Sequence, residues 1–232
     1  MDTGSEDDTM DIARAAGARV TSLPFTGFGP LKQAALEMAS GRWVLSIDAD
    51  ERVTRALAEE IRLVMEMDRP EPAGFWVRRE LVYLGRRLRF GGAESDWVLR
   101  LVRRERAHFV PLLIHERLEV EGKTERLQGT LTHVKYETLS EHLVQMDRYT
   151  TMIALERMAR GRQFHSWQLL RVPWELFVRL ILRLGVLDGR PGVIHATMSS
   201  FYSFLKCAKL WRPEQSARGE LAPAADDERA PR

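Results

Sequence analysis

Two aspartates separated by one residue follow an apolar segment of the sequence. Residues 44–47, VLSI, are typical of a buried strand, and they run directly into Asp48-Ala49-Asp50-Glu51. Carboxylates beside a buried strand cost free energy unless a cation or hydrogen-bond donors compensate them. Two such oxygen ligands can hold Mg²⁺ or Mn²⁺, and the cation offsets their repulsion. A cation held there could also bind a diphosphate and stabilise a departing nucleoside diphosphate.

The same spacing also occurs in ordinary solvated loops, so the surrounding elements decide between the two interpretations. The sequence predicts a helix at about 7–16, a strand at 19–22, a helix at about 31–40, a strand at 43–47 and, after the capping residue Thr54, a helix with Val53, Leu57, Ile61 and Val64 at helical spacing. This alternation predicts an α/β fold with a mostly parallel sheet. Ligands of such sheets bind beyond the carboxyl ends of the strands, where Asp48 and Asp50 fall.

The pattern changes twice further along the chain. Short strands are predicted from about 73 to 136, and helices from about 139 onward. From residue 212 the sequence is polar and contains Pro and Ala, which predicts a disordered tail. The predicted organisation is therefore a catalytic domain over 1–136, a helical region over 137–211 and a tail over 212–232.

Composition excludes some classes of protein. Of the 232 residues, 44% are hydrophobic and 29% are charged, which is typical of a folded globular chain. The net charge of +2 gives no argument for nucleic-acid binding, although arginines crowd the middle of the chain and suit either phosphate contact or a solvated strand face. The single cysteine, Cys207, excludes an intramolecular disulfide and a multi-cysteine zinc site. No apolar run is long enough to predict a spanning helix.

Five segments, in this order, resemble the family 2 glycosyltransferases: GSEDDTMDIARAAGARV, FTGFGPLKQAALEMASGRWVLSIDADERVT, DWVLRLVRR, IHERLEVEG and LGVLDGRPG. The likeness is greatest to the bacterial branch that includes the lipopolysaccharide core β-glucosyltransferases, and it covers nearly the whole chain except the tail. The resemblance implies a GT-A-like fold and an inverting sugar transfer. It further implies a nucleotide-sugar donor, with a UDP-sugar expected, and a cell-envelope glycolipid or polysaccharide acceptor such as lipopolysaccharide core.

The resemblance also implies roles for individual residues. Asp2 matches the family's Asp-x-Gly-Ser element, which contacts the nucleotide. Lys32 matches a basic residue near the donor phosphates, although a solvated lysine at a helix start fits equally well. Asp50 matches the direct ligand of Mg²⁺ or Mn²⁺, and Asp48 would face the ribose or orient the metal. Glu51 is expected to support the loop rather than to bind the metal.

An inverting transfer needs a base that takes the proton of the acceptor hydroxyl. The candidates are Glu116, which follows the apolar stretch VPLLI and is preferred because partial desolvation favours proton uptake, and Asp96. Arg100, between two leucines, is expected to clamp phosphate or to form a buried structural ion pair. His115 and His133 are expected to be structural, with completion of the metal or phosphate site as the alternative.

The sequence departs from the family at its start. Family members have a strand, a loop, a helix and a second strand before the Asp-x-Gly-Ser element, and here that element begins at Asp2. Two explanations follow: a truncated gene model, which is preferred because the later site residues are all present, or a degenerate remnant. In either case the fold is expected to lack its first strand, to form poorly and to be weakly active. The alternative function is that of a catalytically impaired or non-catalytic membrane-surface protein.

One segment suggests contact with a membrane surface. Residues 169–185, LLRVPWELFVRLILRLG, mix apolar side chains with three arginines, so the segment is too interrupted to span a bilayer. An amphipathic helix of this kind can lie among lipid headgroups. The alternative is a helix packed on the catalytic domain. The predicted localisation is cytoplasmic, with peripheral contact with the inner face of the cytoplasmic membrane.

Overall fold

A computed structural model describes residues 1–67, 69–93, 96–110 and 117–211. The chain divides into two compact units, Met1–Glu137 and Thr138–Arg232. Within the described residues, the first unit contains helices and a sheet, and the second contains helices.

The first unit is built around a mixed sheet. Its elements are α1 (Thr9–Ala15), α2 (Phe28–Met38), β1 (Trp43–Leu45), β2 (Glu51–Val53), α3 (Arg55–Glu66), β3 (Gly74–Tyr83), β4 (Arg86–Arg87), β5 (Trp97–Arg103), β6 (Ala107–Phe109), β7 (Leu118–Val120) and β8 (Thr124–Lys135). Over the described residues the main sheet has the order β1-β5-β3-β8-β2, with β4 paired to β3, while β6 and β7 form a separate antiparallel pair.

The α/β class with helices at the C-terminal end is confirmed, but the prediction of a mostly parallel sheet is wrong for the described strands. Only β3 and β8 run parallel in the main sheet, and the other pairings described there are antiparallel. A parallel neighbour needs a long crossover, usually a helix. The described chain between β3 and β8 contains short strands and no α-helix to make such crossovers. The strand predicted at 19–22 is reduced to a single parallel bridge between Asp2 and Ser22. Helix α1 lies between these two residues in the chain.

Strand β1 is shorter and less buried than its sequence predicts. It ends at Leu45, its residues are half-buried, and Ile47 is exposed. The reason is its place at one end of the described sheet, where β5 covers a single edge. The segment that follows the two aspartates also differs from the prediction. Val53 belongs to β2, where it pairs with Leu131 of β8, and not to the helix.

Helix α3 is positioned by its cap and its apolar face. Thr54 is the N-cap as predicted: its hydroxyl accepts from the Leu57 amide and donates to the Thr130 carbonyl at 2.7 Å, which joins the helix start to β8. The apolar face of α3 packs on the sheet in a core made of Leu57, Ile61, Phe75, Val77, Leu101, Leu127 and Leu131. This core supports the strands that flank the acidic loop.

We expect Gly129→Ala to lower the free energy of unfolding by about 3 kcal/mol, because α3 approaches β8 backbone to backbone at this residue. A Cβ on Gly129 would lie 2.4 Å from Cα of Leu57, which cannot move without the helix. At Gly74 the nearest atoms are the side-chain methyls of Leu99 and Val120, both at 3.2 Å, which can shift. Gly74→Ala is therefore the control and should cost less. Equal denaturant midpoints for the two variants would contradict this account.

The second unit consists of helices that pack on one another. Its elements are α4 (Leu139–Ala159), a 3₁₀ turn (Ser166–Leu170), α5 (Arg171–Phe177) with a π-helical continuation (Val178–Leu182), a second 3₁₀ turn (Gly185–Asp188) and α6 (Gly189–Ala208). Helices α4 and α5 both contact α6. Across the part of the chain that the structure describes, no helix is sufficiently long and apolar to cross a bilayer.

Candidate functional site

The loop between β1 and β2 carries both aspartates and is held by strands on either side. The amide of Ser46 donates to the Arg100 carbonyl at 2.8 Å, which extends the pairing of β1 with β5. The amide of Val134 donates to the Asp50 carbonyl at 2.9 Å, which ties the other end of the loop to β8. Within the loop, the Glu51 amide donates to the Asp48 carbonyl at 3.0 Å. The loop is therefore fixed at both ends by the sheet.

Asp48 is paired with two cations from distant elements. Lys32 of α2 donates to its Oδ1 at 2.5 Å, and the guanidinium of Arg100, on β5, donates to its Oδ2. Burial raises the pKa of Asp48, but the charges of Arg100 and Lys32 outweigh burial, so the pKa lies below its ordinary value. The structure thus brings these three predicted residues together, with Asp48 ionised between two positive groups.

Glu51 is buried and connects these three residues to a third cation, Arg79. Its side chain is 0% exposed. Its Oε1 accepts from Arg100 at 2.5 Å and from Arg79 at 3.2 Å, and its Oε2 accepts from the Asp48 amide at 3.1 Å. The sequence interpretation gave Glu51 a supporting role and did not identify Arg79. Their proximity depends on the pairing of β2, β8, β3 and β5, which no local motif reveals.

Asp96 lies at the far end of the same network. Arg79 donates to both of its oxygens, from Nε at 2.9 Å and from Nη2 at 3.1 Å. Burial lowers the pKa of Arg79, but its bonds to Asp96 and Glu51 outweigh burial and raise that pKa. The result is an alternating line of charges, Lys32, Asp48, Arg100, Glu51, Arg79 and Asp96, which we call the ion-pair line. The other candidate base, Glu116, and its neighbour His115 lie outside the described residues.

Asp50 does not share the partners of Asp48 among the described contacts and pairs with a histidine. Its Oδ2 lies 2.9 Å from Nε2 of His133, a buried residue of β8, while the Asp50 side chain is 47% exposed. Burial raises the pKa of Asp50, but the hydrogen bond and charge of His133 outweigh it, and the pKa is lowered. The two aspartates therefore differ: Asp48 is held between internal cations, and Asp50 is accessible to solvent.

The donor set fits a divalent cation that a substrate helps to hold. The described residues contain no cluster of three or more His, Cys, Asp or Glu side chains arranged around one metal position. Asp50 nevertheless offers an oxygen ligand, and Nε2 of the adjacent His133 would become a nitrogen ligand on giving up its proton. Mg²⁺ is commonly bound by one or two carboxylates together with substrate phosphates. The residues therefore suit a cation shared with a diphosphate better than a closed protein cage.

Asp2 shapes its own loop. Its Oδ2 accepts from the amides of Gly4 at 2.8 Å and Ser5 at 3.2 Å, and its Oδ1 accepts from the Ser5 hydroxyl at 2.5 Å. The Ser5 hydroxyl and the Gly4 amide lower the pKa of Asp2 to about 2. Its backbone bonds to Thr21 and Leu23 fix the loop at the isolated bridge between Asp2 and Ser22. The structure shows this local turn, and no bond from Asp2 to the ion-pair line occurs among the described contacts.

Comparison with known protein sequences places the chain in a family. The sequence pattern of "Glycosyl transferase family 2" matches residues 1–118. The lipopolysaccharide core biosynthesis glycosyltransferase LpsC of Rhizobium meliloti is 29% identical over 91% of this chain and 81% of its own length. An uncharacterized glycosyltransferase of Rickettsia typhi is 24% identical over 96% of this chain and 80% of its own length. The mixed sheet with its helices is consistent with a GT-A-like fold, and the chain belongs to the family 2 glycosyltransferases.

Proposed function

We propose that this glycosyltransferase moves a sugar from a nucleotide-sugar donor, a UDP-sugar, to a cell-envelope glycolipid or polysaccharide such as lipopolysaccharide core. The observation that carries the proposal is the pairing of the solvent-exposed Asp50 with the buried His133 at the loop between β1 and β2, next to the ion-pair line. The name of the Rhizobium meliloti relative supports the choice of acceptor.

The donor end of the site would work through charge. Asp50 and His133 would hold Mg²⁺ or Mn²⁺, and the bound cation supplies Lewis-acid stabilisation of the leaving nucleoside diphosphate. Lys32, whose side chain is 20% exposed, is close enough to solvent to contact a phosphate. Asp48 would fix Lys32 and Arg100 in place, so that their charge is oriented before the donor binds. Asp2 would position the Asp-x-Gly-Ser loop against the nucleotide.

The acceptor end needs a base, for which we propose Glu116. In the transfer, the acceptor oxygen forms a bond to the anomeric carbon, the bond from that carbon to the phosphate oxygen breaks, and the proton passes to Glu116. Attack opposite the leaving group inverts the anomeric configuration. Asp96 is less suitable as a base, because both of its oxygens accept from Arg79 and proton uptake would disrupt that pairing.

We also propose that the chain works in the cytoplasm, in peripheral contact with the inner face of the cytoplasmic membrane. A water-soluble donor and a lipid-linked acceptor meet at such a surface. The apolar and arginine-containing helical segment of the second unit supports this location.

We expect Glu116→Gln to lower kcat by about 10²–10⁴-fold with the donor KM unchanged, because the variant removes the base and leaves the donor site intact. The measurement is UDP release from a panel of UDP-sugars with Mg²⁺ or Mn²⁺, together with the anomeric configuration of the product by NMR. Asp96→Asn is the matched control. It should lower the Tm, and it should lower kcat less than Glu116→Gln does.

Two results would contradict the proposal. A kcat that falls with Asp96→Asn and not with Glu116→Gln would move the base to Asp96. Nucleotide-sugar binding without turnover for every donor and acceptor tested would favour the alternative, a non-catalytic membrane-surface protein.

A further inference from the structure

The helical residues 166–182 of the second unit direct a line of large apolar side chains outward. Successive members of this line are three or four residues apart, which places them on one side of the helical segment. All are between 46% and 74% exposed: Trp167, Leu170, Trp174, Phe177, Ile181 and, just beyond the segment, Leu184. We call these six residues the outer stripe.

Two charged side chains of the same segment, Glu175 and Arg179, are largely covered by the protein. Glu175 accepts from the Ser203 hydroxyl of α6 and pairs with Arg179 at 3.2 Å. The Ser200 hydroxyl, also on α6, donates to the Val172 carbonyl at 2.6 Å. A helix on the surface of a water-soluble protein has the opposite arrangement, with its apolar side against the core and its polar side in solvent. The outer stripe therefore suits an apolar neighbour.

The charge around the stripe indicates what that neighbour is. Residues 138–211 contain ten Lys and Arg against five Asp and Glu. Arg171 lies within the stripe segment, Arg183 and Arg190 follow it, and all three are exposed. Arginine side chains can lay their aliphatic stems along an apolar surface and keep the guanidinium at its polar boundary. The combination complements a surface that is apolar inside and negatively charged outside.

We propose that the outer stripe is the docking surface for an anionic lipid bilayer, with the segment lying in the plane of the membrane at headgroup depth. The proposal rests on the proposed peripheral location, and it names the residues and the lipid charge that produce it. Trp167 and Trp174 suit this depth, because indole rings favour the boundary between headgroups and acyl chains.

A second copy of the chain fits the stripe less well. A two-fold contact places the same patch of both copies together. It would bring the exposed arginines of one copy to those of the other, at a cost in free energy, whereas anionic headgroups neutralise them. The bilayer also accommodates an apolar line of any length, while a stable dimer needs about 800 Å² of complementary surface on each partner.

The test is co-sedimentation of the full chain with vesicles of phosphatidylcholine alone or mixed equally with phosphatidylglycerol. We expect the partition coefficient to be at least about tenfold higher with the mixed vesicles, and to fall about tenfold or more in the triple variant Leu170→Ser, Trp174→Ser, Phe177→Ser. The matched control replaces two exposed apolar residues of α4, Val144→Ser and Leu155→Ser, and should bind like the unchanged protein.

Three results would overturn the proposal: unchanged binding of the triple variant, equal binding to both vesicle types, or a change from dimer to monomer in the triple variant without vesicle binding by the unchanged protein. UDP release to a soluble saccharide acceptor, measured in parallel, separates this inference from the transferase itself. The triple variant should retain that turnover. Conversely, if the unchanged protein shows no turnover but binds the mixed vesicles, the docking proposal is supported and the transferase proposal is not.

Discussion

Asp50→Ala is expected to lower kcat for sugar transfer by about a thousandfold and to remove its dependence on Mg²⁺ or Mn²⁺. The Asp50 carboxylate is the more exposed of the two in the loop and is the proposed metal ligand, and Asp48 cannot replace it while both of its oxygens accept from Lys32 and Arg100. Without the cation, negative charge on the departing diphosphate loses its main neutralising partner. The measurement is UDP release against metal concentration, with thermal unfolding recorded for the same preparation.

His133→Gln and Asp11→Ala separate the causes of this loss. If His133 is the second ligand, its loss should raise the metal concentration needed for half-maximal activity by about 10–100-fold and leave the activity at saturating metal largely intact. Asp11 is an exposed residue of α1 that pairs with Arg14, and its replacement should change neither quantity. Full metal-dependent activity in Asp50→Ala would show that the cation is held elsewhere.

The helices of this chain could be predicted from its sequence because their signals are local. Thr54 precedes α3 and bonds to the amide three residues later, so cap and helix are read from one short segment. The sheet could not be predicted in the same way. Strand β3 pairs with β8 in parallel across a long stretch of chain, and β2, only three residues long, forms because β8 offers it a partner.

The candidate site shows the same limit. The sequence identifies Asp48 and Asp50 as a pair of carboxylates, and their spacing suggests a common metal. In the structure they have different partners: Lys32 and Arg100, 16 and 52 residues away, donate to Asp48, while Asp50 pairs with His133. From the sequence, Glu51 is expected only to support the loop. In the structure it is also the buried centre of the ion-pair line, because its place at the start of β2 sets it beside Arg100 and Arg79.

Glu51→Ala is expected to lower the free energy of unfolding by about 3–5 kcal/mol, because it leaves the buried Arg100 and the adjacent Arg79 without their shared carboxylate. At this chain length the loss corresponds to a fall in Tm of about 10 °C. The donor KM should rise as well, since Glu51 also accepts from the Asp48 amide and so fixes the loop that carries Asp50. Differential scanning calorimetry and donor titration measure the two effects.

A second variant and a control test whether the buried charge is the cause. Glu51→Gln keeps the shape and one acceptor oxygen, so its Tm should lie between those of Glu51→Ala and the unchanged protein. Replacing Arg100 by Met together with Glu51→Ala should cost less than the sum of the two single changes, because the double variant leaves one fewer buried charge unpaired. Glu59→Ala removes an exposed partner of Arg55 on α3 and should cost about 0.5 kcal/mol or less. A Glu51→Ala protein as stable as Glu59→Ala would show that water, and not Glu51, compensates Arg100, and the loop would then have to be fixed by its strands alone.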